Sequence, residues 1–260
     1  MGEFSDKVVV VTGGSRGIGK AIALSFAREG AQTVQAASSQ DNLDKAAAEI
    51  GNQGPNPFTV PGDQKTLQAC EALHAFVREK AGRCDVLVNN AGATRSGNFL
   101  ELPDDAFHDG FALKYFACVR LCRLFWPMLK EREGRVVNII GGAARTPDAL
   151  FLIGGSVNSA MANFSKGLSV LGKKDGVNVN VIHPGLTETD RVTTLLQQRA
   201  KASGITPDEA RKQAMAKDGL RRIGQPDDVA ELALFLASER ARHIQGAAIA
   251  VDGGQTSGLF

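Results

Sequence analysis

Twelve residues near the start of the chain, Val8 to Gly19 (VVVVTGGSRGIG), constrain its fold more than any others. Four consecutive β-branched residues, Val8 to Val11, read as a strand buried on both faces, as strands of a parallel sheet are. The turn Thr12-Gly13-Gly14-Ser15-Arg16-Gly17-Ile18-Gly19 follows, and helical spacing starts at once from Lys20. A glycine-rich turn in this position lets the backbone approach a pyrophosphate closely. The helix's unpaired N–H groups and dipole then stabilise the negative charge. The spacing is G-x-x-x-G-x-G, which differs from the G-x-G-x-x-G dinucleotide fingerprint. Glycines also serve ordinary turns. The strand before and the helix after make cofactor binding the expectation here.

A chain of 260 residues with 43% apolar content can bury one full α/β core. No stretch approaches the roughly 20 apolar residues of a membrane span. MGEFSDK lacks the basic and apolar regions of a secretory signal, so a cytoplasmic protein is expected. The net charge of +2, without a basic block or basic–aromatic run, gives no reason to expect a nucleic-acid partner. Cys70, Cys84, Cys118 and Cys122 form no CxxC pair and read as buried reduced thiols rather than metal ligands.

Strand patterns at 33–37, 58–60, 85–88, 135–140, 177–182 and 247–251 alternate with helical ones at 42–50, 65–80, 103–132 and 155–171. Pro226 opens a further helix at its first turn. The polar stretch 190–217 reads as helical and as a substrate lid. Such alternation predicts an α/β fold, a doubly wound parallel sheet with helices on both faces, in one domain over residues 1–260.

Six segments then point to a family. Thr12–Gly19, Gly62-Asp63, Asn89-Asn90-Ala91-Gly92, Val179-Asn180-Val181-Ile182-His183-Pro184-Gly185, Arg222-Ile223-Gly224-Gln225-Pro226 and Val251-Asp252-Gly253-Gly254 occur in this order. Over almost its whole length the chain resembles the classical short-chain dehydrogenases/reductases. The resemblance implies a seven-stranded Rossmann sheet, a nicotinamide cofactor across the strand carboxyl ends, a small-molecule substrate, and a homotetramer or homodimer. The implied cofactor residues are Gly13, Ser15, Arg16, Gly17, Ile18 and Gly19 in the loop, Asp63 beside the adenine, and Asn90 with Gly92 near the adenosine ribose. Pro184, Gly185, Thr187 and Thr189 would lie beside the nicotinamide. Asp63 as a plain turn residue and Asn90 as a structural one are the alternatives. An acid ending the second strand would bind the ribose 2′-OH and repel a 2′-phosphate. Ala37-Ser38-Ser39 stands there instead, with Arg16 in the loop. Ser38, Ser39 and the guanidinium suit a phosphate, so NADP is expected over NAD; a solvated Arg16 is the alternative.

The family's catalytic residues are Ser, Tyr and Lys, with an Asn from the long helix. Tyr exchanges the hydroxyl proton, Lys lowers its pKa, and Ser holds the substrate oxygen. Gly134 to Gly141 (GRVVNIIG) places Gly141 at the serine position. The register of Phe164 and Leu168 puts Asn158 at the lysine position and Gly154 at the tyrosine position. Phe107-x3-Phe111-x2-Lys114 puts Lys114 where the asparagine belongs. The only tyrosine, Tyr115, should point about 100° round the helix from Lys114. Glycine has no side chain to move a proton, but hydride transfer belongs to the cofactor, so another donor can complete a reaction. Lys114 and Asn158 exchange the family's types. The ammonium is therefore expected in the cleft, near the nicotinamide ribose or Asn158, with space over Gly141 and Gly154 for substrate or water; snorkelling to solvent is the alternative. His183, Ser156, Thr94 and Arg145 are further cleft candidates, with His183 read as packed rather than acidic. Two functions follow. One is an NADP-dependent oxidoreductase with an atypical site, acting on a carbonyl, enone or alcohol. The other is a catalytically silent cofactor-binding homologue, a partner subunit or redox-state sensor.

Overall fold

Val8–Thr12 forms the central strand, β1, with every side chain buried, which accounts for its unbroken β-branched run. The computed structural model describes residues 2–256. The other strands are β2 (Gln32–Ala37), β3 (Phe58–Pro61), β4 (Val86–Asn89), β5 (Arg135–Ile139), β6 (Asn178–Pro184) and β7 (Ala248–Val251). They pair in parallel in the order β3-β2-β1-β4-β5-β6-β7. The chain winds outward from β1 to β3, then crosses back to β4 on the other side of β1. This reversal opens a crevice at the carboxyl ends of β1 and β4, where open α/β sheets bind ligands. The doubly wound sheet predicted from the alternation is present.

The helices, numbered in chain order, include α2 (Gln40–Gly51), α4 (Asp104–Gly110), α7 (Asp190–Ser203) and α8 (Pro207–Lys217). Helices cover both faces. On one, α1 (Gly17–Arg28) and α9 (Pro226–Ala237) pack Ile22, Phe26, Val229 and Leu236 against Val9, Val11, Val86, Val88 and Ile139. On the other, α3 (Leu67–Lys80), α5 (Ala117–Glu131) and α6 (Leu152–Asp175) pack Leu73, Leu121, Phe125 and Met161 against Val8, Val10, Leu87 and Val136. The two sets of strand residues alternate, as a pleat with two buried faces requires. All four cysteines are buried and unpaired. Among the described residues no helix is long and apolar enough to cross a membrane.

Two elements differ from the sequence reading in ways that shape the cleft. The long helix predicted over 103–132 is three pieces: Asp104–Gly110, a π-helical turn over Phe111–Phe116, and α5. At Gly110 a Cβ would stand 2.8 Å from Ile153 Cγ2 and 3.2 Å from Thr94 Cγ2, so only glycine admits this close approach of the helix to α6. The helix predicted over 155–171 begins earlier, at Leu152, and runs to Asp175, where Gly176 stops it at φ +76°. Gly154 thus lies within its first turn. The polar stretch 190–217 is helical, as two helices: Asp190–Ser203 and Pro207–Lys217. They are joined through Gly204 at φ +65° and a Thr206–Glu209 capping box. They rest on a small apolar cluster of their own, Leu196, Ala214 and Ile223.

Candidate active site

The glycine turn is shaped by a clamp between β1 and β4. Thr12 Oγ1 accepts the N–H groups of Asn90 and Ala91, both at 3.0 Å. Asn90 Nδ2 donates to Thr12 O at 3.0 Å and Gly13 O at 3.3 Å. Asn90 therefore holds the loop's shape. A side chain on Gly19 would collide with Gly13 O and Asn90 Nδ2 and break this clamp. Gly13 and Gly17 take φ of +63° and +51°, the left-handed conformation that glycine adopts freely. At the start of α1, Arg16 provides no side-chain cap, and the first turn carries no acid. Its N–H donors and dipole are left for another negative group. A dinucleotide pyrophosphate fits such a cradle.

The other sequence-selected residues surround this cradle. Ser15, Gly17 and Ile18 are half-buried, whereas Arg16 and Ser38 are exposed. Ser39 Oγ accepts from Asn42 N at 3.3 Å and caps the helix Gln40–Gly51. Asp63 Oδ1 accepts from Lys65 N at 3.1 Å, a turn contact. Gly185, following Pro184, donates its N–H to Val251 O at 3.0 Å. Thr187 Oγ1 donates to Gly185 O at 3.1 Å. Thr189 Oγ1 accepts from Val192 N at 3.4 Å and caps the helix Asp190–Ser203. Its methyl lies 3.2 Å from where a Gly17 Cβ would stand, so the β6 loop and the glycine turn form opposite walls of one cleft.

Lys114 lies on the floor of this cleft. It projects from the π-helical turn, and its Cγ, Cδ and Cε pass within 2.9–3.3 Å of where a Cβ on Gly92 would be. Burial first, then the nearby Arg191 guanidinium, bring its pKa down to about 8. Arg191 comes from the first turn of the helix Asp190–Ser203, and its Nη2 donates to Thr94 O at 3.3 Å. Among the described residues no hydrogen bond joins Lys114 to Asn158. Asn158 is buried beneath Gly141, its Nδ2 2.9 Å from the place of a Cβ there, and its Oδ1 has no hydrogen-bond partner among the described residues. His183 is also buried; its Nδ1 donates to Gly141 O at 3.4 Å, and Nε2 has no partner. Burial, then the Arg145 charge, lower its pKa, so it is neutral near pH 7 and packed rather than acidic.

The space expected over Gly154 is filled. The Phe151 ring folds back onto it, closer than any Cβ there would allow. The cause is the early start of α6: Phe151 is its N-cap residue, with φ −129°, one turn before Gly154. Tyr115 is held among rings, with centroids 6.1 Å from Phe111, 5.3 Å from Phe116 and 6.1 Å from Phe164. Ser156 is exposed on α6.

The family profile described as short chain dehydrogenase matches residues 7–200. The chain belongs to the short-chain dehydrogenase family. This short-chain dehydrogenase family member is 32% identical to oxidoreductase UcpA of Salmonella typhimurium over 263 residues, covering 98% of this chain and 97% of that protein. It is 31% identical to a 7alpha-hydroxysteroid dehydrogenase of Bacteroides fragilis over 260 residues, covering 98% and 96%. L-sorbose reductase from Gluconobacter frateurii, solved with NADPH and L-sorbose, superposes with a TM-score of 0.95 at 33% identity, covering 100% of this chain and 99% of that one.

Two residues of this short-chain dehydrogenase cleft escape sequence reasoning. Arg191 meets Thr94 across 97 residues, and nothing local in the sequence marks that contact. Phe151 is one more apolar residue in an apolar run, and only the position of the helix start turns its ring over Gly154.

Proposed function

We propose that this protein is an NADP-dependent oxidoreductase, one domain over residues 1–260, in which Lys114 takes over the proton transfer of the family's tyrosine. The carrying observation is the half-buried Lys114 side chain, its stem laid along Gly92 just after β4, with a pKa lowered to about 8. A group poised close to neutrality is an effective general acid. Gly13, Ser15, Arg16, Gly17, Ile18 and Gly19 would hold the pyrophosphate. Ser38, Ser39 and Arg16 would meet the 2′-phosphate; Asp63, Asn90 and Gly92 would lie along the adenosine, and Pro184, Gly185, Thr187 and Thr189 along the nicotinamide. The NADPH found in the similar L-sorbose reductase supports this assignment. When bound, the nicotinamide supplies or accepts a hydride. Lys114 gives the proton to the substrate oxygen, and Asn158, under Gly141 where the family's serine would stand, orients that oxygen through its amide. The helices over 190–217 close the cleft as a lid, and the enzyme works as a homodimer or homotetramer.

One observation favours the second reading, a silent partner subunit or redox-state sensor: the Phe151 ring seals the place of the family's tyrosine over Gly154. Titration with NADPH and NADH, with turnover assayed on ketones, enones and alcohols, separates the two. The expected result is NADPH binding stronger than NADH binding by about 1–2 kcal/mol, lost in Arg16→Ala. Lys114→Met should weaken NADPH binding by about 1–3 kcal/mol and abolish turnover. Tight NADPH binding without any turnover in the wild type contradicts the enzyme and supports the sensor.

A further inference from the structure

Two cations from different elements face the cleft, and among the described residues neither is ion-paired to an acid. The Lys114 stem lies on Gly92, and Arg191 Nη2 is 3.3 Å from Thr94 O, so the pair brackets the exposed Gly92-Ala93 segment. Of the acids nearest Arg191 in sequence, Glu188 is bound to Arg211, and Asp190 is exposed at the helix start without an ion pair among the described residues. Arg191 stays charged at any ordinary pH and keeps unused N–H donors beyond its bond to Thr94. Lys114 is half-buried and Arg191 is exposed at the cleft edge; an anion placed between these like charges relieves their repulsion.

We propose that the substrate is an oxo acid, whose carboxylate binds the Arg191 guanidinium while its neighbouring carbonyl oxygen meets the Lys114 ammonium. This deepens the oxidoreductase reading above and rests on it for the chemistry. A planar guanidinium fork matches a carboxylate, and a flexible ammonium suits the single oxygen beside it. The cofactor's pyrophosphate is accommodated elsewhere, at the uncapped start of α1. In reduction, bound NADPH would supply the hydride for the new C–H bond at the carbonyl carbon, becoming NADP+. The C=O π pair moves onto oxygen, which takes a proton from Lys114, and solvent reprotonates the amine. The product is the hydroxy acid.

The test uses the full-length protein saturated with NADP+ and titrated calorimetrically with 2-oxobutanoate, 3-oxobutanoate and 4-oxopentanoate, each beside its methyl ester. At least one acid should bind about tenfold or more tightly than its ester. Arg191→Leu should remove that difference while leaving NADP+ affinity within about twofold, and Arg191→Lys should restore part of it. Circular dichroism on Arg191→Lys and Arg191→Gln guards against a variant that fails to fold. Equal binding of every acid and ester overturns the proposal. So does an Arg191→Leu variant that loses NADP+ affinity as strongly as acid affinity, because the cofactor's phosphates would then be its partner. Acid binding that depends on Arg191 but brings no NADPH turnover supports the anion site and contradicts only the oxidoreductase reading. Turnover of neutral carbonyls alone supports that reading and contradicts the oxo acid.

Discussion

At the scale of single residues, the proposed chemistry rests on Lys114. Its pKa is lowered from 10.5 to about 8, by burial first and by Arg191 second. Reduction needs the protonated form, so the rate with saturating NADPH should fall as pH rises through about 8. Arg191→Leu removes the repulsion, and the alkaline limb should move to higher pH; a limb that stays in place would mean the two charges do not interact. The same shift is a stability statement. The unfolded chain binds more protons between pH 8 and 10.5, so this group's destabilisation is complete below the folded pKa and relieved as pH rises through that window. Lys114→Met should therefore raise stability at pH 7, by about 1–3 kcal/mol after allowing for solvent access, while turnover is lost. Thermal denaturation at pH 7 checks this, and a lower Tm would count against it. Sequence reasoning singled out Lys114 and Asn158 from the spacing that the family resemblance implies. It could not mark Arg191, whose meaning comes from a contact made across the cleft.

The elements were legible in proportion to how regular they are. The run Val8–Val11 and the alternation after it determine a parallel sheet, because strands buried on both faces leave little other choice. Helix ends and helix type were harder. The π-helical turn that carries Lys114 has no periodic signature, since its apolar residues continue the pattern of the helices around it. The start of α6 was read three residues late, because Leu152-Ile153 before Gly154-Gly155 resembles the end of a loop. That small difference decides whether Gly154 opens onto space or lies under Phe151. Gly154→Tyr alone should destabilise the protein by about 1–3 kcal/mol, since the new side chain meets the Phe151 ring. Adding Phe151→Gly should recover much of that loss. Chemical denaturation of the single and double variants tests the pair; a Gly154→Tyr protein as stable as the wild type would show that the ring gives way freely.

At the scale of the whole molecule, the exposed apolar residues raise the question of assembly. Phe116 and Leu171 are each 46% exposed and Val170 61%, on helices whose other faces are buried in the core. Apolar surface of this kind on a helix is usually covered by a partner. A homodimer or homotetramer is expected by light scattering at micromolar concentration, with Phe116→Asp shifting it toward monomer; a wild-type monomer would contradict this. The doubly wound parallel sheet was legible, because regular alternation and winding rules leave few topologies; its strand order and switch point come from the structure. Whether Lys114 serves as the acid is tested most directly by a crystal structure of the protein with NADP+. The Lys114 Nζ should lie within about 3 Å of a nicotinamide ribose hydroxyl, or of a water facing the nicotinamide C4. A nicotinamide bound across the β1–β4 crevice with Lys114 turned away into bulk solvent would contradict it.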